Sequence, residues 1–309
     1  MQEKILVTGG SGLLGHAVRK IVPGATFLTS QNGDLRDAKQ TDRIFGDKKP
    51  DRVLHLAAKV GGVKINAERN ADFFADNIQI NTNVLASAQK HKVKGLVSLL
   101  SSCAFPFYSG RPTRETDLHS GLPFPGNLGY GCAKRMLDIQ TRLLWEQHGC
   151  RFTTVTPVTM YGPHDHWDLE NSHVLSALIH KCFHAKQSGK TLVVWGSGEA
   201  VRQFVFSGDV ARLILKTGQS IESPDTVILA PDSGIKIRDL AGIIAGAMKF
   251  KGKIRFDKSK PEGQRVRVLK SNLFPKRFPG FKFTKLEKGL EETVEWFLEN
   301  HNSFCGTGL

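Results

Sequence analysis

Short apolar runs alternate with segments of helical period through the first half of the chain. The runs typical of buried strands are KILVT (4–8), ATFLT (25–29), RVLHLAA (52–58), GLVSLL (95–100) and RFTTVTPV (151–158). Periodicity near 3.6 predicts helices at 15–22, 41–47, 72–91 and 130–148. This strand–helix alternation predicts an α/β fold, a Rossmann-type doubly wound parallel sheet with helices on both faces.

The pattern loosens after Gly162 and Pro163. It still predicts strands at 191–195, 202–206, 226–230 and 253–256, and helices at 173–187, 209–217, 237–248 and 286–300. The stretch 259–280 carries three prolines and many charges, so we expect it to be irregular. We therefore expect a dinucleotide-binding domain and a smaller mixed α/β substrate lobe. Their expected bounds are 1–163 with about 202–225 for the first, and about 164–201 with 226–309 for the second.

Composition and charge narrow the function classes. Hydrophobic content of 40% with 23% charged residues is ordinary for a globular protein, and the apolar runs are too short to cross a bilayer. The first residues enter a strand pattern directly, so we expect a cytoplasmic protein without a membrane partner. The net charge of +14 favours anionic ligands. No nucleic-acid motif accompanies that charge, so we expect a nucleotide rather than a nucleic acid.

The cysteines do not indicate a metal or a disulfide framework. Their number is odd, five, and their spacing matches neither kind of site. We expect no metal at any of them, and reduced, mostly buried thiols at all but Cys103; the others are Cys132, Cys150, Cys182 and Cys305.

A glycine-rich turn, TGGSGLLG (8–15), links the first strand to the first helix. Glycines there permit a tight turn and close approach of a pyrophosphate, which the free N–H groups of the helix N-terminus then bind. The candidate cofactor-binding residues in this turn are Gly9, Gly10, Ser11, Gly12, Leu13, Leu14 and Gly15.

The end of the second strand bears on the choice of dinucleotide. Sites for NAD usually place a carboxylate there for the ribose hydroxyls. This chain has Thr29, Ser30, Gln31 and Asn32 instead. Hydroxyls and amides can donate to a 2′-phosphate, so this end favours NADP(H). Asp34 is placed for the adenine side, or alternatively caps the following helix.

Tyr130 and Lys134 lie four residues apart in YGCAK and share one helix face. A lysine beside a phenol favours the phenolate, so we expect Lys134 to lower the pKa of Tyr130. Ser101 follows the fourth strand, at the edge where parallel sheets bind ligands. It could hydrogen-bond the same substrate oxygen. These three residues are candidate catalytic residues.

TGGSGLLG, the serine after strand four and YGCAK together resemble the extended short-chain dehydrogenase/reductase family. Further segments are similar to its branch of GDP-sugar 3,5-epimerase/4-reductases, so that the resemblance covers about residues 4–300. These segments are AAKVGGVKIN (57–66), SSCAFP (101–106), NLGYGCAKRMLDIQ (127–140), YGPHDHW (161–167), NSHVLSALIHK (171–181) and VVWGSGEAVRQF (193–204).

The resemblance implies NADPH-dependent conversion of GDP-4-keto-6-deoxy-D-mannose to GDP-L-fucose. Protons would first be exchanged at C3 and C5, with Cys103 as base and His173 as acid. Reduction at C4 would follow, with Tyr130 protonating the oxygen, Lys134 holding the nicotinamide ribose and Ser101 positioning the carbonyl. A thiol and an imidazole suit these proton transfers because both titrate not far from neutrality.

The resemblance also implies binding residues and an assembly. Pro157, Met160 and His173 match cofactor positions. The match for the GDP-sugar places Lys181 and Arg202 at the diphosphate, Trp195 against the ligand and Glu262 near hydroxyls or base. Arginine suits phosphate through its planar fork of donors. A homodimer built through helices 72–91 and 130–148 is expected by analogy with the family.

Alternatives stay open at several residues. Cys103 could pack as a small hydrophobe, and His173 could be a helix-terminal residue satisfied by its neighbours. Trp195 could belong to the core and Glu262 to a solvated loop. Alternative functions are epimerisation or reduction of another nucleotide-linked 4-keto sugar, an NAD-dependent 4-epimerase or 4,6-dehydratase, and a non-catalytic nucleotide- or RNA-binding module.

The chain departs from the family pattern at three places. It has Pro157-Val158-Thr159-Met160 where Pro-Thr-Asn is usual, His166-Trp167 where Asn-Phe is usual, and Glu262 where Asp is usual. These positions concern cofactor and sugar contacts, so the reaction class is better indicated than the identity of the sugar.

Overall fold

The computed structural model describes residues 3–107, 111–169, 172–260 and 262–302. Its strands are β1 Ile5–Thr8, β2 Thr26–Leu28, β3 Arg52–His55, β4 Gly95–Leu99, β5 Phe152–Pro157, β6 Thr159–Tyr161, β7 Leu192–Trp195, β8 Val201–Arg202, β9 Phe204–Phe206, β10 Val227–Leu229, β11 Ile235–Lys236, β12 Ile254–Asp257 and β13 Val266–Arg267. Its helices are α1 Leu13–Ile21, α2 Ala38–Lys48, α3 Val63–Glu68, α4 Asn70–Lys90, α5 Leu128–His148, α6 Val174–Ser188, α7 Ser207–Gln219, α8 Ile237–Ala247, α9 Phe274–Arg277 and α10 Leu286–Asn300.

The larger sheet has six strands in the order β10-β5-β4-β3-β1-β2, all parallel. β4 and β5 are buried along their whole length, as expected when both faces are covered. α1 packs beside α7, and α4 packs between α2 and α5. The predicted doubly wound parallel sheet is confirmed, and its carboxyl ends meet at one edge.

A second hydrophobic cluster lies outside this sheet. α6, α8 and α10 pack together there and bury Leu178, Leu240 and Phe297. Three small sheets accompany it, in the orders β12-β7, β11-β8-β13 and β6-β9. β10 lies between β9 and β11 in the sequence, yet it pairs with β5 of the larger sheet. The domain bounds given above stay a prediction.

The stretch expected to be one strand at 202–206 is two, because Gln203 breaks it. The Gln203 side chain is buried, donates to the carbonyls of Pro231 and Leu269, and accepts from the Leu269 N–H. β8 therefore joins β11 and β13, whereas β9 pairs with β6. Periodicity also missed α3, β6, β11, β13 and α9, all of six residues or fewer.

Of the four cysteines in the described ranges, Cys182 is buried, whereas Cys103, Cys132 and Cys150 are half-buried. These four are free, and Cys305 lies outside the described residues. In the described part of the chain, no helix is both long and apolar enough to cross a membrane.

Candidate active site

The glycine turn lies at the carboxyl edge of the sheet, between β1 and α1. Gly9 has φ 71°, a left-handed conformation that side chains disfavour. A Cβ on Gly15 would lie 2.5 Å from the Gly9 carbonyl oxygen, so helix and turn touch there. At Gly12, the N-cap of α1, the nearest such atom is 3.5 Å away. The turn thus closes on itself while Gly12 and the helix N-terminus stay open, which fits a pyrophosphate.

The loop between β2 and α2 carries an ion-pair network. Asp34 accepts from the backbone N–H of Arg36 at 2.9 Å and from its Nη2 at 2.7 Å. Hydrogen bonds and charge from Arg36 hold the pKa of Asp34 below its usual range. Arg36 also pairs with Asp76, which binds Lys59 after β3. Asp37, not Asp34, caps α2, accepting from two of its N–H groups.

Beside Asp34, the predicted NADP-reading residues form a tight turn. The Asn32 carbonyl Oδ1 accepts from the Thr29 N–H at 2.8 Å and from the Thr29 hydroxyl at 3.2 Å. Ser30, Gln31 and Asn32 are exposed. Their hydroxyl and amide donors are therefore available to an anion.

A 3₁₀ turn, Ser102–Ala104, follows β4 and carries the candidate base. Ser101 is its N-cap, and the Ser101 Oγ accepts from the Cys103 N–H at 3.2 Å. Cys103 is half-buried and Ser102 is buried. The cap fixes Ser101 and Cys103 relative to each other, because one hydrogen bond joins the side chain of the first to the backbone of the second.

α5 brings Tyr130 and Lys134 to the same edge. Lys134 is buried, and its Nζ donates to the Leu99 carbonyl at 2.7 Å. The same Nζ lies 5.9 Å from the centroid of the Tyr130 ring. Burial lowers the pKa of Lys134 to about 8. Tyr130 interacts with both Ser101 and Cys103, so the structure brings these four predicted residues together.

The predicted lowering of the Tyr130 pKa is wrong for this structure. Burial, together with the negative charge that Cys103 can carry, raises the pKa of the phenol. The Ser101 hydroxyl and the positive charge of Arg267 act in the opposite direction but are weaker. Tyr130 is therefore protonated at neutral pH, the state that a general acid requires.

Behind Lys134 lies a buried polar network that sequence reasoning missed. The His55 Nδ1 lies 2.9 Å from the Thr8 hydroxyl, and its Nε2 lies 3.1 Å from the Asn81 amide oxygen. Burial and the charge of Lys134 lower the pKa of His55 to about 3. A neutral imidazole thus joins β1, β3 and α4 beneath the site. The only sequence signal was a histidine within a buried strand.

His173 lies where α6 begins. It is the N-cap of α6, its side chain is exposed, and no hydrogen bond joins it to Cys103 or Tyr130 within the described ranges. Burial raises the pKa of Asp165, and the charge of His173 acts against that shift. The two side chains therefore lie near each other. Pro157 ends β5, and Met160 lies in β6.

A tryptophan surface lies at the carboxyl end of β7. Trp195 is 43% exposed, so it does not belong to the core. The Lys181 Nζ lies 4.1 Å from the ring centroid and the Lys260 Nζ lies 5.9 Å away. A flat aromatic face with two ammonium groups offers both stacking and charge to an anionic aromatic ligand.

Two arginines lie side by side next to this surface. Arg202 and Arg267 are partners in the parallel register of β8 and β13. Burial, and then repulsion from Arg267, lower the pKa of Arg202 to about 10, while Glu262 opposes that shift. The Glu262 carboxylate accepts from the Ser197 hydroxyl, which holds the pKa of Glu262 below its usual value. Arg267 was not among the predicted residues.

No group of three or more His, Cys, Asp and Glu side chains that could hold a metal occurs within the described ranges. The groups that the site brings together are the Cys103 thiol, the Ser101 hydroxyl, the Tyr130 phenol and the Lys134 ammonium.

Comparison with known proteins gives consistent matches. Residues 5–230 match the model of the NAD dependent epimerase/dehydratase family. The GDP-L-fucose synthase of Dictyostelium discoideum is 39% identical over 98% of this chain and 97% of its own length. That of Escherichia coli is 31% identical over 99% of both. A GDP-L-fucose synthetase structure from Naegleria fowleri, bound to NADP, has a TM-score of 0.91 at 39% identity, covering 98% of this chain and 94% of that one.

Proposed function

The chain belongs to the NAD dependent epimerase/dehydratase family, and from this premise we propose that it is a GDP-L-fucose synthase. It converts GDP-4-keto-6-deoxy-D-mannose to GDP-L-fucose by 3,5-epimerisation followed by NADPH-dependent reduction at C4. The observation that carries the proposal is the thiol of Cys103 on the turn beside Ser101 and Tyr130. A reductase without an epimerisation step needs the phenol and hydroxyl but not the thiol.

Epimerisation begins with removal of the protons alpha to the C4 ketone. The Cys103 thiolate takes the proton from C3 or C5, and the electron pair of the broken C–H bond moves onto the C4 oxygen. Ser101 and Tyr130 donate hydrogen bonds to that oxygen and stabilise the enolate. The His173 imidazolium returns a proton to the carbon from the opposite face, which inverts the centre.

Reduction uses the same carbonyl. NADPH, when bound, would supply the hydride for C4. Tyr130 gives its proton to the C4 oxygen, and its raised pKa keeps that proton in place until charge develops there. Ser101 and the positive charge of Arg267 stabilise the resulting phenolate, because both favour the ionised form. Lys134 holds the nicotinamide ribose from its buried position against the Leu99 carbonyl.

NADPH would be held by the glycine turn and the start of α1. Gly12 and the N–H groups of the helix N-terminus would bind its pyrophosphate, and Asp34 with Arg36 would meet its adenosine end. The exposed Ser30, Gln31 and Asn32 donate to the 2′-phosphate, which explains the use of NADPH. Pro157, Met160 and His173 complete the nicotinamide side.

The GDP part of the substrate lies on the tryptophan and arginine surfaces. Trp195 supports the guanine, and Lys181, whose Nζ lies over the Trp195 ring, meets the diphosphate with Arg202. The Glu262 carboxylate accepts hydrogen bonds from ribose hydroxyls or from base N–H groups. It uses the lone pairs that the Ser197 hydroxyl does not occupy.

A homodimer and a cytoplasmic location are part of the proposal. Phe74 on α4 and Met136 and Leu143 on α5 are 41%, 40% and 55% exposed, and α4 packs on α5. Pairing this surface with that of a second copy would bury these side chains in a four-helix interface. The four free cysteines in the described ranges support a reducing compartment.

The test is NADPH consumption with GDP-4-keto-6-deoxy-D-mannose, compared with UDP- and dTDP-linked 4-keto-6-deoxy sugars. We expect rapid oxidation of NADPH only with the GDP substrate, and a product with the L-configuration at C5. Equal turnover of a UDP- or dTDP-linked sugar would overturn the substrate assignment. Reduction without inversion at C3 and C5 would overturn the epimerase half.

A further inference from the structure

Two arginines hold the turn that carries Cys103 from opposite sides. On the α5 side, the Arg135 Nε donates to the Ala104 carbonyl. From β13, more than 160 residues later in the sequence, the Arg267 Nη2 donates to the Ser102 carbonyl at 3.2 Å. The carbonyls on both sides of Cys103 are thus bound by guanidinium groups, and the position of the thiol depends on both of them.

Arg135 and Arg267 belong to different parts of the fold. Arg135 is buried on the same helix as Tyr130, within the larger core. Arg267 is half-buried and belongs to the small sheet that carries Arg202. Partners in a parallel register point to the same face, so the two guanidinium groups project together. Arg267 therefore links the turn of the base to the strand of the proposed diphosphate arginine.

The charge of this pair is only partly compensated in the described ranges. Glu262 acts on Arg202 against the effects of burial and of Arg267, but those effects outweigh it. The Glu262 carboxylate also accepts from the Ser197 hydroxyl. Two adjacent, partly buried cations repel each other. A bound anion would remove that repulsion and fix both side chains.

We propose that Arg267 is a positioning residue that transmits occupation of the diphosphate site to the turn carrying Cys103. The inference rests on the proposed function and concerns the same site. When the diphosphate binds Arg202, it also attracts Arg267, which is then held between the anion and the Ser102 carbonyl. The turn is fixed, and Cys103 is placed against the alpha protons. Binding energy from the nucleotide is thereby used at the reacting carbon.

The experiment compares two substrates in D₂O with NADP⁺ present, so that exchange is measured without reduction. One is GDP-4-keto-6-deoxy-D-mannose, and the other is 4-keto-6-deoxy-D-mannose 1-phosphate, which lacks the distal phosphate and the nucleoside. The variants are Arg267→Gln, Arg267→Lys and Arg265→Gln. Arg265 is an exposed arginine two positions earlier, so its variant removes the same charge without touching the turn.

We expect the wild-type protein to exchange C3 and C5 protons of the GDP substrate much faster at saturation than those of the 1-phosphate. Arg267→Gln should lower the saturated rate on the GDP substrate by about 10- to 100-fold, because small displacements of a reacting group have effects of that size. It should lower the rate on the 1-phosphate by a clearly smaller factor, because that substrate lacks the distal phosphate. Arg267→Lys, and guanidinium added to Arg267→Gln, should restore part of the loss, and Arg265→Gln should behave as wild type.

Two results would overturn the proposal. An Arg267→Gln variant that only raises KM for the GDP substrate would make Arg267 a simple phosphate ligand. A variant that loses rate by the same factor on both substrates would show that Arg267 has a structural role. The NADP⁺ affinity of that variant reports whether it folds. If the wild-type protein exchanges neither substrate, the proposed function itself fails, which is a different outcome from either of these.

Discussion

The carbonyl oxygen of Cys103 lies against Gly131, at the place where any other residue would have a side chain. A Cβ on Gly131 would be 2.6 Å from that oxygen and 2.8 Å from the Pro123 Cβ. The middle position of YGC is therefore a contact between α5 and the turn of the proposed base. The placement of Cys103 relative to Tyr130 and Lys134 therefore depends on this close approach of two backbones.

Gly131→Ala should push the turn away from α5. The overlap with a backbone oxygen cannot be relieved by a flexible side chain, so we expect a loss of about 1–3 kcal/mol in the free energy of unfolding. Proton exchange at C3 and C5 should fall at least about tenfold, because Cys103 moves with the turn. Urea unfolding and exchange in D₂O measure the two effects.

Gly242→Ala is the matched control. Gly242 also lies within a helix, α8, but no atom lies within 4 Å of a Cβ built there. This variant should gain up to about 1 kcal/mol from helix propensity and keep wild-type exchange. Equal behaviour of the two variants would contradict the close contact at Gly131.

Tyr130→Phe should separate reduction from epimerisation. The variant keeps the ring but lacks the proton for the C4 oxygen, so NADPH oxidation should fall by about 100-fold or more. Exchange at C3 and C5 should persist at a reduced rate, because Ser101 still donates to the oxygen. Parallel measurement of both activities is the test, and equal loss of both would contradict the division of roles between Tyr130 and Cys103.

His55 should make the protein unstable in acid. Its pKa is about 3 in the folded chain and near 6.5 when unfolded, so the unfolded chain binds a proton first as the pH falls. Stability is therefore lost between pH 6.5 and pH 3, by about 2 kcal/mol at pH 5. His55→Gln should remove about that much of the difference between pH 7 and pH 5 in urea unfolding.

The control for this pH dependence is His148→Gln. His148 is exposed at the end of α5, so its replacement should leave the slope of stability against pH unchanged. A His55→Gln protein with the same slope as wild type would show that the buried imidazole is not the group that titrates.

Much of the site was predictable because its residues follow local rules. Short spacings in the sequence define three of its features: a glycine turn after the first strand, an i, i+4 pair, and a serine after a buried strand. The parallel sheet then brings the carboxyl ends of its strands together. Their positions follow from period and topology alone.

The rest depends on contacts that sequence spacing does not encode. Arg267 meets the Ser102 carbonyl from a two-residue strand, too short for any periodic signal. The prediction that the pKa of Tyr130 is lowered was wrong because burial outweighs neighbouring charge. The burial of Tyr130 is known only once α5 is packed. The break at Gln203 likewise reflects hydrogen bonds to Pro231 and Leu269, which are distant in the sequence.

The central claim is that the thiol of Cys103 removes the protons alpha to the carbonyl that Tyr130 later protonates. The most direct test is deuterium incorporation at C3 and C5 of GDP-4-keto-6-deoxy-D-mannose by Cys103→Ser in D₂O with NADP⁺. We expect incorporation to fall by at least about 100-fold while NADP⁺ binds as in wild type, because a hydroxyl ionises far less readily than a thiol. Incorporation at the wild-type rate would contradict the account.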